Sequence, residues 1–332
     1  MMKTIHWGII GCGDVTEVKS GPALQKIPHS TIAAVMRRSG DKARDYAERH
    51  GVSRWYDDAD ALLHDNTVNA IYIATPPESH ARYTIAALEM GKPVYVEKPM
   101  ARTYAECLAM NAAAERTGVP LFVAYYRRRH TPYLAVRDWL GEQRIGDVRC
   151  VSVQMLYGPR PGDHDTPRPW RVRPEVSGAG HLYDLAAHQL DLLDYTVGPV
   201  AETQAFAANQ AGWYPAEDVV AGAWRHENGV LGSGLWCYTA KPSPRVERTE
   251  ITGSEGRITY TTFGQQRATL ETHASIEVVD LERPAHVQQP LLETVVAALR
   301  GEGACPSTGV TAARTSRLLE ALVADYYATE AP

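Results

Sequence analysis

Between residues 5 and 124, six short β-rich runs alternate with stretches of helical periodicity, and that alternation constrains the chain more than any other feature. The runs are Ile5 to Ile10, Thr31 to Met36, Trp55-Tyr56, Asn69 to Thr75, Pro93 to Glu97 and Pro120 to Ala124. Strands separated by helices do not pair as hairpins. Each helix carries the chain back across the sheet, so neighbouring strands run parallel and lie buried under helices. The helices are punctuated accordingly. Ser39 to His50 carries an acid in its first turn and Gly51 past its end, and Thr103-x-x-Glu106 is a capping box opening a helix that stops near Gly118.

Beyond about residue 145 the pattern changes to strands in succession. Val148 to Tyr157 predicts a long strand, and Glu217 to Arg225, Asn228-Gly229 and Val230 to Tyr238 predict a hairpin. Val246 to Thr252, Arg257 to Phe263 and Arg267 to Thr272 extend the series, Leu182 to Thr196 interrupts it as a helix, and Pro290 to Arg300 and Thr311 to Tyr327 close the chain. A length of 332 residues favours two domains. The expected architecture is α/β followed by α+β. A doubly wound parallel sheet occupies residues 1–124, and a large open, mainly antiparallel sheet occupies 125–332, with the C-terminal helices able to pack back on the first domain. A sheet that wide has a face to cover, so a homodimer or homotetramer through it is expected.

Charge and cysteine usage exclude several classes. Lys and Arg total 34 against 39 Asp and Glu, a formal charge of -5, which leaves no strongly basic face to neutralise nucleic-acid phosphates. No apolar stretch approaches the ~20 residues of a membrane helix. Cys12, Cys107, Cys150, Cys237 and Cys305 are odd in number and scattered, which argues against a disulfide framework and fits a reducing cytoplasm.

Gly11-Cys12-Gly13-Asp14-Val15-Thr16 follows the first strand and opens a helix, the context of a dinucleotide-binding turn. The first glycine permits the tight turn, and the second lets backbone approach a pyrophosphate at the helix N-terminus. Thr16 stands where a third glycine is usual. At the end of the second strand the chain offers Arg37 and Arg38, with no acid before Asp41. A guanidinium there pairs with a 2′-phosphate and a carboxylate repels one, so NADP is expected before NAD.

Two further turns belong to the same edge of the parallel sheet: Thr75-Pro76-Pro77-Glu78-Ser79-His80 and Glu97-Lys98-Pro99. Ligands bind at that edge, so Thr75, Pro76, His80, Glu97 and Lys98 are expected to meet the cofactor. A lysine there is able to hydrogen-bond, or exchange a proton with, a substrate hydroxyl. In the second half, Asp184, His188 and Asp191 fall at i, i+4 and i+7 of one helix and share a face. Three readings of that face stay open: acid/base chemistry, a two-carboxylate, one-histidine metal site, and a capped helix with a packing histidine. The metal reading lacks a second histidine at helical spacing.

Gly11-x-Gly13, Thr75-Pro76, Glu97-Lys98-Pro99, Trp170-Arg171 and the Gly-rich lead into Asp184-x-x-x-His188-x-x-Asp191 together resemble the Gfo/Idh/MocA family of oxidoreductases. The resemblance spans nearly the whole chain. It implies an N-terminal Rossmann domain and an enzyme that moves a hydride between NAD(P) and a secondary alcohol or ketone of a sugar, inositol or related polyol. It also implies that Lys98 polarises the reacting hydroxyl, that His188 exchanges its proton, and that Asp184 orients the substrate or the imidazole. The Lys98-Pro99 bond is expected to be cis, with Trp170 and Arg171 over cofactor or substrate. Tyr157, Trp170, His181 and Trp236 are candidate substrate walls, since aromatic faces pack on sugar C–H surfaces. Ala179 departs from the family's glycine run. Two rival classes remain: a non-catalytic NADP(H)-binding regulator, and a metal-dependent lyase or isomerase using Asp184, His188 and Asp191.

Overall fold

The computed structural model describes residues 2–240 and 245–329. The chain divides into two compact units, Met1–Arg127 with Arg283–Ala313, and Arg128–Glu282 with Arg314–Pro332.

The first unit begins β1 (Ile5–Ile10), α1 (Asp14–Val18), α2 (Gly21–Lys26), β2 (Ser30–Met36) and α3 (Gly40–His50). It continues β3 (Arg54–Tyr56), α4 (Ala59–Leu63), β4 (Ala70–Ile73), α5 (His80–Glu89), β5 (Val94–Val96), α6 (Tyr104–Thr117) and β6 (Leu121–Val123). All six strands are parallel, in the order β3-β2-β1-β4-β5-β6. That is the doubly wound order, and the direction of winding reverses between β1 and β4. The helix signals act as written. Thr103 Oγ1 accepts the Glu106 N–H at 3.1 Å, and Gly51 and Gly118 end α3 and α6 in the left-handed region, each at φ 66.

The second unit contains α7 (Thr131–Gly141), β7 (Val148–Leu156), α8 (Pro174–Ser177), and a π-helical turn, Leu182–Ala186, running into α9 (Ala187–Thr196). Its remaining strands are β8 (Val200–Ala208), β9 (Val219–His226), β10 (Leu231–Cys237), β11 (Val246–Gly253), β12 (Gly256–Tyr260), β13 (Arg267–Thr272) and β14 (Ile276–Asp280). They form one eight-stranded sheet, β14-β13-β12-β11-β7-β10-β9-β8, antiparallel throughout except where β7 pairs with β10. The chain is thus α/β followed by α+β, as its sequence predicts. Val151, Val153 and Met155 of β7 are buried on one face of the sheet while Ser152 and Gln154 are exposed on the other. That second face also carries exposed Phe206, Leu231, Leu235, Ile276 and Val278.

Two helices follow, α10 (Gln289–Arg300) and α11 (Gly309–Thr329). Leu291, Leu292, Val295, Val296 and Leu299 of α10 join the core of the first unit with Ile5, Trp7, Ile9, Tyr72 and Tyr95. All five cysteines are free thiols. Among the described residues no helix is long and apolar enough to cross a membrane.

Candidate active site

In the first unit, β1 delivers the chain into Gly11 at φ 94, and a Cβ there would stand 2.7 Å from Thr75 Cγ2 and 2.9 Å from the Thr75 nitrogen. Only glycine fits that approach. Gly13 differs: a Cβ would meet nothing nearer than the Gly11 oxygen at 3.9 Å, so its missing side chain leaves open space beside the backbone rather than relieving a clash. Asp14 and Val15 begin α1, exposed and half-buried respectively. Fully buried Thr16 compensates for the absent third glycine. Its Oγ1 accepts the Gly13 N–H at 2.9 Å and donates to the Gly13 carbonyl at 2.8 Å. Gly21 is a tight position of its own, where a Cβ would lie 2.2 Å from the Thr16 oxygen and 2.5 Å from the Tyr46 hydroxyl. Sequence reasoning gave Gly21 no role. At the end of β2, Arg37 is half-buried and Arg38 exposed, and neither forms an ion pair among the described residues. The nearest acid along the chain, Asp41, is held by Arg44 at 3.0 Å.

Thr75 and Pro76 are half-buried after β4. His80 is not a lining residue, contrary to the expectation that it meets the cofactor: it has no exposed surface. Its Nε2 lies 2.8 Å from the Thr75 carbonyl and its Nδ1 3.0 Å from that of Pro99. The ring therefore ties the turn after β4 to the turn after β5. Burial pushes its pKa down, against the opposing pull of those carbonyls and of Glu97.

Glu97 is 7% exposed and fully engaged. Its Oε1 accepts from the Tyr72 hydroxyl at 2.8 Å and from Gln288 Nε2 at 2.6 Å, and its Oε2 accepts the Lys98 main-chain N–H at 3.3 Å. Tyr95 donates to Gln288 Oε1 at 2.9 Å and completes the set. The carboxylate thus acts on the backbone of Lys98. Lys98 is half-buried, and its peptide bond to Pro99 is cis.

In the second unit the turn before the π-helix hangs on a buried acid. Both oxygens of Glu217 accept the Gly180 N–H, at 3.0 Å each, and Tyr327 donates to Oε2 at 2.7 Å. Burial raises the Glu217 pKa to about 7. His181, 1% exposed, places Nε2 at 3.0 and 3.1 Å from the two oxygens of equally buried Asp163. Burial works to raise the Asp163 pKa, but the His181 contact and the Arg160 N–H outweigh it and hold the carboxyl below its ordinary range.

Asp184 sits on the π-turn with its side chain 15% exposed, 2.7 Å from Arg160 Nη1 and 3.2 Å from Arg171 Nε. Arg171 in turn lies over the half-buried Trp170 ring, 4.4 Å from its centroid. His188 is the second residue of α9, 3% exposed, with Phe263 edge-on at 6.0 Å. Asp191, at 1% side-chain exposure, receives Arg128 Nε at 2.9 Å and Nη2 at 2.6 Å. Burial raises the Asp191 pKa to about 6 against the pull of Arg128. The two carboxylates that a metal would have to share are therefore held by different arginines. Among the described residues no group of His, Cys, Asp and Glu is arranged to hold a metal ion.

Of the aromatic wall candidates, Tyr157 is half-buried with the Arg245 guanidinium 5.3 Å from its ring centroid. Trp236 is a correction: it has no exposed surface, its indole N–H donates to Gln189 Oε1 at 2.9 Å, and it packs on Trp224 in the core. A cavity of about 830 Å³ opens within this unit, walled in part by Tyr157, Arg160, Leu185, Arg245, Phe263 and Arg267. Arg160, Asp163, Glu217 and Phe263 were not singled out from sequence. Arg160 and Asp163 lie in a Pro- and Gly-rich stretch whose composition gives only a loop signal.

The sequence matches the oxidoreductase family with an NAD-binding Rossmann fold over residues 5–125 and the GFO/IDH/MocA C-terminal domain over residues 133–259. Oxidoreductase P35 of Formosa agariphila is 37% identical over 321 residues, 96% of this chain and 98% of that protein. Levoglucosan dehydrogenase of Pseudarthrobacter phenanthrenivorans is 32% identical over 298 residues, 78% of this chain and 74% of that protein. The solved structure of a levoglucosan dehydrogenase in complex with NADH superposes with a TM-score of 0.85 at 22% identity, covering 99% of this chain and 98% of that one, which is a likeness of fold.

Proposed function

The chain belongs to the Gfo/Idh/MocA family of oxidoreductases, and from that premise we propose that it interconverts a secondary alcohol and a ketone on a sugar, inositol or related polyol, with NADP(H) preferred to NAD(H). The observation that carries the reading is the anchoring of Lys98: a buried carboxylate that also accepts from Tyr72 and Gln288 holds the lysine backbone at the end of β5. A side chain fixed through its main chain is pre-organised for its task.

The residues fit a dinucleotide. The open space beside Gly13 admits a phosphate against backbone, and Gly11, Asp14, Val15, Thr75 and Pro76 frame the same turn. Arg37 and Arg38, without carboxylate partners among the described residues, suit a 2′-phosphate. Trp170 and Arg171 are assigned to cover cofactor or substrate. The nicotinamide, when bound, supplies the hydride acceptor or donor. Lys98 holds and polarises the reacting hydroxyl oxygen, His188 accepts or returns its proton, and Asp184 orients the substrate or the imidazole. The relative named a levoglucosan dehydrogenase supports a sugar-like substrate. No step requires a metal, since the nicotinamide carries the redox change and His188 the proton. The exposed apolar residues on the open sheet face support a homo-oligomer, which sedimentation tests directly.

A cofactor-linked absorbance screen of monosaccharides, inositols, anhydrosugars and glycosides, with NAD(H) and NADP(H) in parallel, tests the reading. Turnover with at least one polyol is the expected result. Tight cofactor binding with no turnover across the panel would instead favour a regulatory protein.

A further inference from the structure

We propose that the substrate carries an anionic substituent, a carboxylate, phosphate or sulfate, which docks on Arg160 and Arg245 beside Asp184. This rests on the oxidoreductase reading above and narrows its substrate class.

The 830 Å³ cavity of the second unit carries Arg160, Arg245, Arg248, Arg267 and Glu247 in its wall. Two of its arginines are already neutralised. Arg248 is paired with Glu250, and Arg267 lies on both oxygens of Asp280 at 2.7 and 2.9 Å. The wall's own carboxylate is also engaged: Glu247 accepts from Gln189 Nε2 at 3.0 Å and from the main-chain N–H groups of Thr262 at 2.8 Å and Phe263 at 3.1 Å.

Arg160 and Arg245 are left. Arg245 is stacked on the Tyr157 ring and has no carboxylate partner among the described residues. Arg160 shares Asp184 with Arg171, so two guanidinium groups face one carboxylate. Asp163, whose carboxylate takes the Arg160 main-chain N–H, is buried and turned to His181. Arg245 is thus the arginine of this wall with no carboxylate partner among the described residues, and Arg160 has only a share of Asp184.

A guanidinium at a concave wall with no carboxylate partner of its own attracts anions and binds carboxylate, phosphate or sulfate through paired N–H donors. A neutral polyol would leave that charge facing water. The Tyr157 ring beneath Arg245 supports the guanidinium plane at little cost in side-chain freedom.

The test compares matched substrates with saturating cofactor: glucose against glucuronate, glucose 6-phosphate and glucose 6-sulfate, with the corresponding inositol pairs. An anionic member is expected to exceed its neutral parent in kcat/KM by about ten- to a hundred-fold, the worth of one charge-assisted contact, with the advantage shrinking as salt rises. Arg245→Gln should raise KM for that member by a similar factor and leave kcat unchanged. Equal kcat/KM for neutral and anionic partners, or an unchanged KM in Arg245→Gln, overturns the proposal while leaving the oxidoreductase reading intact. Calorimetry without turnover separates the two failures. Binding of the anionic sugars that is lost in Arg245→Gln upholds the proposal even if no hydride moves, and binding no tighter than that of glucose refutes it.

Discussion

Arg128 places Nε and Nη2 on the two oxygens of Asp191, at 2.9 and 2.6 Å, with 1% of each side chain exposed. Arg128 also lies 3.6 Å from Asp194, which is held at 2.7 Å by Arg314 of α11. Asp191 shares a helix face with His188 in sequence, but its partner makes it a fastening of α9, not a proton donor. Removing Asp191 leaves the buried Arg128 only the more distant Asp194, which Arg314 already holds. Asp191→Ala should therefore cost about 3–5 kcal/mol of unfolding free energy, read by urea denaturation. A loss below about 1 kcal/mol, the range of exposed pairs, would mean that the pair is not buried in solution.

Glu217 gives a pH signature. Its folded pKa is raised from 4.5 to about 7 by burial, so the folded chain keeps a proton that the unfolded chain releases. Below pH 4.5 the group is protonated in both states and costs nothing; between there and about 7 stability falls, and above 7 the whole penalty is present. At about 1.4 kcal/mol per pKa unit the penalty is on the order of 3 kcal/mol. Glu217→Gln cannot ionise. The stability of wild type minus that of Glu217→Gln should decline from pH 5 to pH 8 in denaturation experiments, and a pH-independent difference would show that Glu217 titrates normally.

Lys98 and His188 are the residues on which turnover depends in the proposed mechanism. Lys98→Ala and His188→Ala should each lower kcat/KM by roughly two to four orders of magnitude, the usual worth of a positioned acid, base or charge. NADPH binding, followed by fluorescence, should persist in both. Undiminished activity in either variant would remove that residue from the mechanism.

Much of the fold was legible because it is written locally. β1 has the predicted ends, Ile5 and Ile10, and α6 begins at the Thr103 cap and ends at Gly118, although the Glu106 side chain accepts the Arg102 N–H rather than closing the capping box on Thr103. The missed strands, β8 and β14, are the two edges of the large sheet. An edge strand pairs on one side only, and much of each is solvent-exposed, so neither Ala-rich β8 nor the short β14 carries a strong apolar pattern. In the candidate site, contiguous motifs pointed to Gly11, Lys98, Asp184 and His188. Their supports could not be read this way, because they arrive from distant sequence: Gln288 reaches Glu97 across 191 positions, and Glu217 reaches Gly180 across 37. Trp236 was misread for the opposite reason. An aromatic at a strand position looks the same in sequence whether it faces a ligand or, as here, Gln189 and Trp224 in the core.

In the proposed reading, cofactor choice depends on the end of β2. Arg37 and Arg38 stand there without carboxylate partners among the described residues, and Asp41 is held by Arg44 at 3.0 Å. Arg37→Asp replaces an attraction for the 2′-phosphate with a repulsion and supplies a carboxylate acceptor for a 2′-hydroxyl. The ratio of kcat/KM for NADP(H) to that for NAD(H) should fall by about a hundred-fold or more, combining a lost charge-assisted contact with a gained hydrogen bond. Because Arg37 makes no ion pair among the described residues, thermal stability should be unaffected, which separates a change in recognition from a damaged fold. A ratio that stays within about two-fold of wild type would refute the assignment of Arg37 to the 2′-phosphate, since one charge-assisted contact is worth far more than that.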